Sequence, residues 1–369
     1  MTREQRAALR LRVCSHEFWP TWVRYTPIAF VVLWESVRSG GVRTALCVNP
    51  GIPGGGGLVG EDKADILDGL ASGEHVLATR RIPVGTPEDR AAALEQLLCE
   101  DEALGGYPVV LKPDRGYRGF GVRVVHSADE ALAYFREMAL PASAQRYHPG
   151  PIEVGLQWTR FVDQVRDEDP SRPAGRITDV CDKRFPSVTG DGVRTLEALI
   201  WATPRLAAQA PMFFERHRDR LHEVPGAGEV VSLGRIGNHI QGTKFVDGSR
   251  LITPALERAV DDLARSFRGA GGGGLDIGRF DVRAESEVAL MDGRFAVLEF
   301  NGVLGEPTSM YDPSRSALGC WRVLARWVCS IYALGRARRA LGHRPPKRMA
   351  LVRMIRRDAA ERRGAIVSR

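Results

Sequence analysis

Cysteine is sparse in this chain, and no two cysteines are spaced to work together. Its six cysteines, Cys14, Cys47, Cys99, Cys181, Cys320 and Cys329, include no CxxC pair. That argues against a structural zinc site and against a disulfide scaffold. A chain of this length with that pattern is expected to keep its thiols reduced, in the cytoplasm. Long apolar runs are missing too. The longest, PIAFVVLW at 27–34, is far too short to cross a bilayer. CWRVLARWVCSIYALG is interrupted by Arg322 and Arg326 and reads as a buried or amphipathic helix. The opening residues MTREQRAALRLRVCSHEFW lack an apolar stretch, so no signal peptide is expected. The pattern GxxxxGK[ST] is absent, which excludes a P-loop. No internal repeat occurs, and no Cys, Ser or His stands in a pattern that marks a covalent nucleophile.

What is present is an ordinary globular composition. The 369 residues suffice for two or three packed units. The net charge is +7, and much of the excess lies in the arginine-dense stretch RARRALGHRPPKRMALVRMIRRDAAERRGAIVSR. Such a tail offers contacts to nucleic acid or an anionic membrane surface, but a solvated helix is the plainer reading. The balance elsewhere argues against a dedicated nucleic-acid-binding protein. The sequence does not settle monomer against homodimer.

The apolar periodicity alternates between elements. Helices are expected over 24–38, 63–71, 87–101, 127–140, 194–203, 253–270 and 317–340, with Ser127 as an N-cap. Strands are expected over 44–52, 107–113, 119–125, 152–162 and 176–188, followed by a pair within 278–303. The strand at 44–52 would enter the glycine-rich loop PGIPGGGG, read as a plain turn. The fold class is therefore α+β, with antiparallel hairpins and helices packed on one side.

Two segments carry chemistry. In VVLKPDRGYRGFGVRVV, Lys112 ends a buried strand, and Gly116, Gly119 and Gly121 follow in a loop that re-enters a strand. Glycines let backbone N–H groups wrap a polyphosphate, and Lys112 adds a point charge. In GRFDVRAESEVALMDGRFAVLEFNGV, Arg279 and Asp281 share one strand face, as do Glu299 and Asn301 on the next. Asp, Glu and an Asn amide oxygen are hard ligands of the kind that hold Mg²⁺ against phosphates. FAVLEFN is too apolar to leave Glu299 on an open surface, and burying a lone carboxylate is costly. Arg279 is placed to meet charge on a transferring phosphoryl group. Between these segments, QRYHPGPIEVGLQW offers backbone groups at Arg146 to His148 and a carboxylate at Glu153. CDKRFPSVTGDGVRTL places Lys183 and Arg184 on opposite strand faces.

In this order, the pieces resemble the ATP-grasp superfamily of carboxylate–amine ligases, in a layout similar to D-alanine–D-alanine ligase and cyanophycin synthetase. The resemblance covers roughly residues 60 to 335. Its most specific part is GRFDVR…VLEFNGV, similar to the family's R-x-D…E-x-N metal signature. VVLKPDRGYRGFGV is similar to its flexible glycine loop, and KRFPSVTGDGVRTL to its cyanophycin-synthetase-type segment.

The resemblance implies two lobes whose antiparallel sheets clamp ATP, at 63–143 and 144–336. A short N-terminal α/β unit at 1–62 and a basic tail at 337–369 would flank them. It implies that Lys112, Gly116, Gly119 and Gly121 cover the phosphates. Gln145, Arg146, Tyr147 and His148 would form the adenine hinge, and Glu153 would take the ribose. Lys183 would be a further phosphate ligand and, with Arg279, catalytic. Asp281, Glu299 and Asn301 would hold Mg²⁺, two ions, with Mn²⁺ as a substitute. SLGRIGNHIQGTKF is loosely similar to a substrate loop of the glutamate-ligating branch, which makes Arg235, Asn238 and His239 candidate substrate contacts. GEPTSMYDP adds Thr308 and Ser309. FWPTWVRYTP matches no motif with a mechanism. The implied activity is ATP-dependent coupling of a small carboxylate to an amine through an acyl phosphate. A phosphotransferase without amide formation and a non-catalytic nucleotide-binding module are the alternatives.

Overall fold

A computed structural model describes residues 2–58, 63–70, 75–114, 121–269 and 273–364, with side chains up to 356. Gly116 and Gly119 of the expected flap lie outside the described residues. The short β-forming runs of the first half give β1 (Thr79–Ile82), β2 (Val109–Pro113), β3 (Arg123–Val125) and β4 (Ala142–Arg146). They make a four-stranded antiparallel sheet in the order β1-β4-β2-β3. The longer runs that follow give β5 (Ile152–Arg160), β6 (Gly175–Arg184), β7 (Ser187–Thr189), β8 (Val230–Ser232), β9 (Lys244–Asp247), β10 (Ile277–Ala284) and β11 (Ala296–Asn301). Five of these form a second antiparallel sheet, β11-β10-β5-β6-β9, and β7 pairs with β8 in a small separate ladder. The chain is α+β, as its periodicity implies.

Each sheet buries one face under helices. On the first, the helix Pro87–Glu100 opens with a capping box. Thr86 Oγ1 accepts from Asp89 N at 3.1 Å, and Asp89 accepts in return from Thr86 N at 3.2 Å. The helix Ala128–Glu137 starts on Ser127, whose hydroxyl accepts from Glu130 N at 3.3 Å, the expected N-cap. Together they turn Leu94, Tyr134 and Phe135 onto Val109, Leu111 and Val125.

On the second sheet, the helix Pro254–Ser266 packs Leu256, Val260 and Leu263 against Val154, Leu156 and Phe280. Each such side chain contributes about 1.5–3 kcal/mol on full burial. The buried Asp261 of that helix accepts from Trp158 Nε1 at 3.1 Å, Ala174 N at 2.9 Å and Gly175 N at 2.8 Å. Three donors satisfy a carboxylate that would otherwise be costly inside.

The first residues depart from expectation. The stretch 44–52 is not a strand: Val42–Cys47 is a 3₁₀ helix, and residues 2–58 carry helices and turns with no strand. The α/β character expected of 1–62 is therefore corrected to helical. A short apolar run does not by itself distinguish strand from helix. Here the run forms no backbone ladder with a strand. It packs on the helix Ala317–Ala340, where Arg339 NH1 reaches Ser39 O and Thr44 Oγ1, both at 2.7 Å.

The loop after this turn supports the second sheet. Asn49, buried in a left-handed conformation (φ 48°), acts as a strand partner for the start of β10. Its Nδ2 donates to Ile277 O at 2.8 Å, and its Oδ1 accepts from Ile277 N at 3.0 Å. Gly54, Gly55 and Gly56 hold φ of 76°, 78° and 75°, which only glycine adopts cheaply. Gly56 O then accepts Val303 N at 2.8 Å, just beyond the end of β11.

Candidate active site

Strand register builds one end of the site. β10 and β11 pair Arg279 with Asn301 and Asp281 with Glu299. The four polar side chains named from spacing thus form two adjacent cross-strand pairs. Asn301 Nδ2 donates to Asp281 Oδ2 at 3.2 Å and to Glu299 Oε1 at 3.1 Å, spanning both carboxylates. β5 and β6 bring further charge to the same place. Lys183 Nζ lies 3.1 Å from Glu153 Oε1 and 3.1 Å from Asp281 Oδ1. Arg279 Nε donates to Asp281 Oδ1 at 3.0 Å, and its NH1 donates to Glu306 O at 2.7 Å. Arg184, on the opposite strand face, is more than half exposed.

The first sheet closes over this end. Lys112 Nζ donates to Leu298 O at 3.1 Å, and Gln145 Nε2 donates to the same oxygen at 3.1 Å. β2 and β4 therefore face β11 across a cavity of about 920 Å³. Arg146, Tyr147 and His148 line it at the end of β4, and His148 O accepts from Arg283 NH1 at 3.2 Å. Gly121 has φ 69°, and a Cβ there would sit 2.5 Å from Met138 Cε, so the residue that re-enters β3 needs glycine.

Electrostatics follow from burial and pairing. Burial pulls the Lys112 ammonium down to about 8. Burial also opposes the charge of Lys183, but Asp281 and Glu153 outweigh it and hold that ammonium well above the usual lysine range. Glu299 stays ionised despite burial because Lys63, Asn301 and Lys112 hold its carboxyl well below the usual range. Two carboxylates can share this face because Lys63, Lys183 and Arg279 lie against them.

The helical segments build the other end. Glu17, Phe18, Trp19 and Arg24 line the same cavity, as do Glu306 and Tyr311 from the stretch after β11. Glu17 is buried and meets Arg205 NH2 at 2.6 Å and His239 Nε2 at 2.9 Å. The His239 ring stacks on Tyr311 with centroids 4.7 Å apart, and the Arg24 guanidinium lies 4.4 Å over the same Tyr311 ring. Glu306 bonds Tyr25 and accepts from Tyr311 OH at 3.1 Å. Burial pushes its carboxyl up to about 7, against the pull of Tyr311 and Arg24.

Most residues named from the sequence meet in this cavity. Lys112, Gln145, Arg146, Tyr147, His148, Glu153, Lys183, Arg279, Asp281, Glu299 and Asn301 line it, and so do Arg235, Asn238, His239 and Thr308. Glu153 lies deep, with Oε1 on Lys183 and Oε2 on Arg283, and it fixes those cations. Ser309 is not brought in: its hydroxyl bonds Asp179 and its N–H donates there at 3.3 Å. Sequence reasoning missed Lys63, Arg283, Glu17, Arg24, Glu306 and Tyr311. The usable signal was Glu17 and Arg24 flanking FWPTW, charged residues beside a cluster of aromatic rings.

The oxygen donors fit a small hard cation. Among the described residues no three His, Cys, Asp or Glu side chains cluster as a metal cage. Mg²⁺ typically takes one or two carboxylates and completes its shell with phosphate and water. Asp281 and Glu299, bridged by the Asn301 amide, match that requirement.

No family model and no curated protein matches this chain. Solved structures do. The chain aligns with a bifunctional glutathione synthetase from Pasteurella multocida at 14% identity and TM-score 0.36, over 71% of this chain and 35% of that one. VanG D-Ala:D-Ser ligase from Enterococcus faecalis aligns at 13% identity and TM-score 0.40, over 74% and 61%. D-alanine–D-alanine ligase from Bacillus anthracis aligns at 12% identity and TM-score 0.38, over 75% and 66%. The chain thus spans a third to two thirds of the length of these proteins.

Proposed function

We propose that this chain is an ATP-grasp ligase that activates a small carboxylate as an acyl phosphate with ATP and passes the acyl group to an amine. The observation that carries the reading is the convergence of the Arg279/Asp281/Glu299/Asn301 quartet with Lys112 and Lys183 in one cavity between two antiparallel sheets. The lobes would be 63–143 and 144–336, and ATP would lie between them.

A carboxylate does not yield its oxygen to an amine, since oxide and hydroxide are poor leaving groups. Phosphorylation makes that oxygen a good one. Phosphoryl transfer asks the protein mainly for position and charge. Asp281, Glu299 and Asn301 would hold Mg²⁺, which when bound neutralises phosphate charge. Lys112 and Lys183 supply fixed positive charge to the phosphates. Glu153 and Arg283 keep Lys183 aimed, so its ammonium costs little reorganisation when a phosphate arrives. Arg279 is locked between Asp281 and Glu306 O, and its remaining donor edge faces charge on the transferring group. An acyl phosphate formed there would have to be shielded from water, as in any closed site. The amine would enter from the end lined by Arg24, His239 and Tyr311.

The test is ADP release with Mg-ATP and pooled small carboxylates, with hydroxylamine present to trap an acyl phosphate. The expected result is hydroxamate that falls at least about a thousandfold in Asp281→Asn. ADP without hydroxamate would overturn the ligase reading in favour of a phosphotransferase or ATPase. ATP binding without turnover in any pool would favour a nucleotide-binding module.

A further inference from the structure

The helix Thr21–Arg38 is apolar on both faces: Ile28, Tyr25, Val31 and Val32 pack inward, and a second apolar stripe faces out. Its charged residues Arg24 and Glu35 are buried at 6% and 3% exposure, whereas Trp22, Phe30, Leu33, Trp34 and Val37 are 63–73% exposed. A soluble surface helix keeps its outward face polar. The inward face is firmly held. Arg24 O accepts from Trp321 Nε1 at 3.1 Å, and Glu35 Oε2 pairs with Arg336 NH1 at 2.8 Å, both on the helix Ala317–Ala340. The outward face therefore cannot turn in. Its apolar side chains recur at the spacing of one helix stripe along an 18-residue helix about 27 Å long. A soluble monomer rarely leaves so many large apolar side chains exposed along one helix face.

Charge identifies the occupant. The stripe carries no acid, because Glu35, the helix's one acidic residue, is buried in ion pairs with Arg38 and Arg336. Its C-terminal end wears a basic collar. Arg38 is 54% exposed, and Arg339 is exposed with NH1 on Ser39 O at 2.7 Å. The chain also returns beside it through Pro346, whose carbonyl accepts from Arg43 NH1 at 3.4 Å, flanked by the exposed Arg344, Lys347 and Arg348. A second copy laid on this stripe would bring no acid to meet the collar. Lipid phosphates would.

We propose that the Thr21–Arg38 face docks on an anionic membrane surface, lying in the headgroup region with its aromatic and aliphatic side chains inserted and its arginine collar on lipid phosphates. No described helix is long and apolar enough to cross a membrane, so the attachment is peripheral. Trp22 near one end and Trp34 near the other suit the interfacial zone, where indole rings settle. This inference does not depend on the reaction assigned to the cavity.

The experiment is co-sedimentation of the full chain with vesicles of phosphatidylcholine alone and with about 30% phosphatidylglycerol, read together with tryptophan emission. Expected are binding to the anionic vesicles with a blue shift, and weakening at about 0.5 M salt, where the Debye length is only a few ångströms. The double variant Phe30→Asp/Leu33→Asp should lose at least about tenfold in partitioning while keeping its melting temperature, because both side chains are exposed. Arg38→Glu/Arg344→Glu should lose the preference for anionic lipid. No binding, or equal binding by the Phe30→Asp/Leu33→Asp variant, would overturn the proposal. So would a lipid-indifferent dimer, seen by sedimentation velocity, that this variant splits into monomers; the occupant would then be a second copy.

Discussion

The two ends of the cavity hold their charges by different means. At one end every charged group but Lys63, which begins the helix Lys63–Gly69, stands on a strand. Asp281, Glu299 and Asn301 are fixed by ladder register, and their cations come from neighbouring strands and from Lys63. At the other end the groups come from helices and turns far apart in the chain. Glu17, Arg24, Arg205, His239, Glu306 and Tyr311 meet only because the helices around 16–38 fold back on the stretch after β11. A ladder needs no side chain to position its members. A helix-built cluster depends on its own ion pairs to hold its shape. The strand end should therefore fail chemically when broken, and the helix end should fail structurally.

The sharpest test of that contrast is Arg205→Ala. Arg205 does not line the cavity, yet it supplies Glu17 with two hydrogen bonds, at 2.9 and 2.6 Å. Removing it leaves a buried carboxylate with His239 alone. The expected cost is about 3–5 kcal/mol, toward the lower end because His239 remains. Denaturant or thermal unfolding should show it, while turnover at saturating substrate in the surviving folded protein stays within about threefold of wild type. A large loss of turnover with unchanged stability would erase the distinction between the two ends.

This contrast also explains what the sequence discloses. Two-residue spacing on strands determines which side chains share a face, so Arg279 with Asp281 and Glu299 with Asn301 are legible from spacing alone. The register that sets Asp281 opposite Glu299 then follows from one hairpin. Lys63 is not legible, because nothing local ties a helix start to a strand more than two hundred residues away. The same holds for Glu17 and Arg24. At 44–52 the apolar run reads as a strand because run length alone does not say whether a sheet edge is available. The central strands β2, β3, β5, β6, β10 and β11 are visible as apolar periodicity, and the helix cap Ser127 as local chemistry, whereas the short strands β1, β4, β8 and β9 are not read from the sequence.

A smaller effect separates the ends by pH. Glu306 is held at about 7 by burial, above the ordinary value of 4.5. The folded state then binds a proton more tightly than the unfolded chain. Its contribution is intact below about pH 4.5 and is lost as pH rises through about 7. Glu306→Gln keeps a neutral side chain throughout. It should melt with wild type near pH 4.5 and above wild type near pH 8, by a few degrees. Parallel melting curves at both pH values would show that the carboxyl titrates normally and that the helix-built end is wetter than its burial implies.

The smallest expected effect on turnover belongs to Ser309→Ala, and it tests where the strand-built end stops. Thr308 and Ser309 are adjacent, but they sit on the 3₁₀ turn Thr308–Tyr311, where neighbouring side chains diverge. Thr308 faces the cavity, while Ser309 turns to Asp179 on β6. Burial pushes Asp179 up to about 6 even with both Ser309 donors in place. Without the hydroxyl the protein should lose about 1–3 kcal/mol, the cost of an under-satisfied buried acceptor. Hydroxamate formation should stay near wild type, whereas Thr308→Ala, at a residue that lines the cavity, should raise KM for one substrate. Loss of activity in Ser309→Ala at unchanged stability would mean that this turn rearranges when substrates bind. The boundary drawn between the cavity and its supporting turn would then have to move.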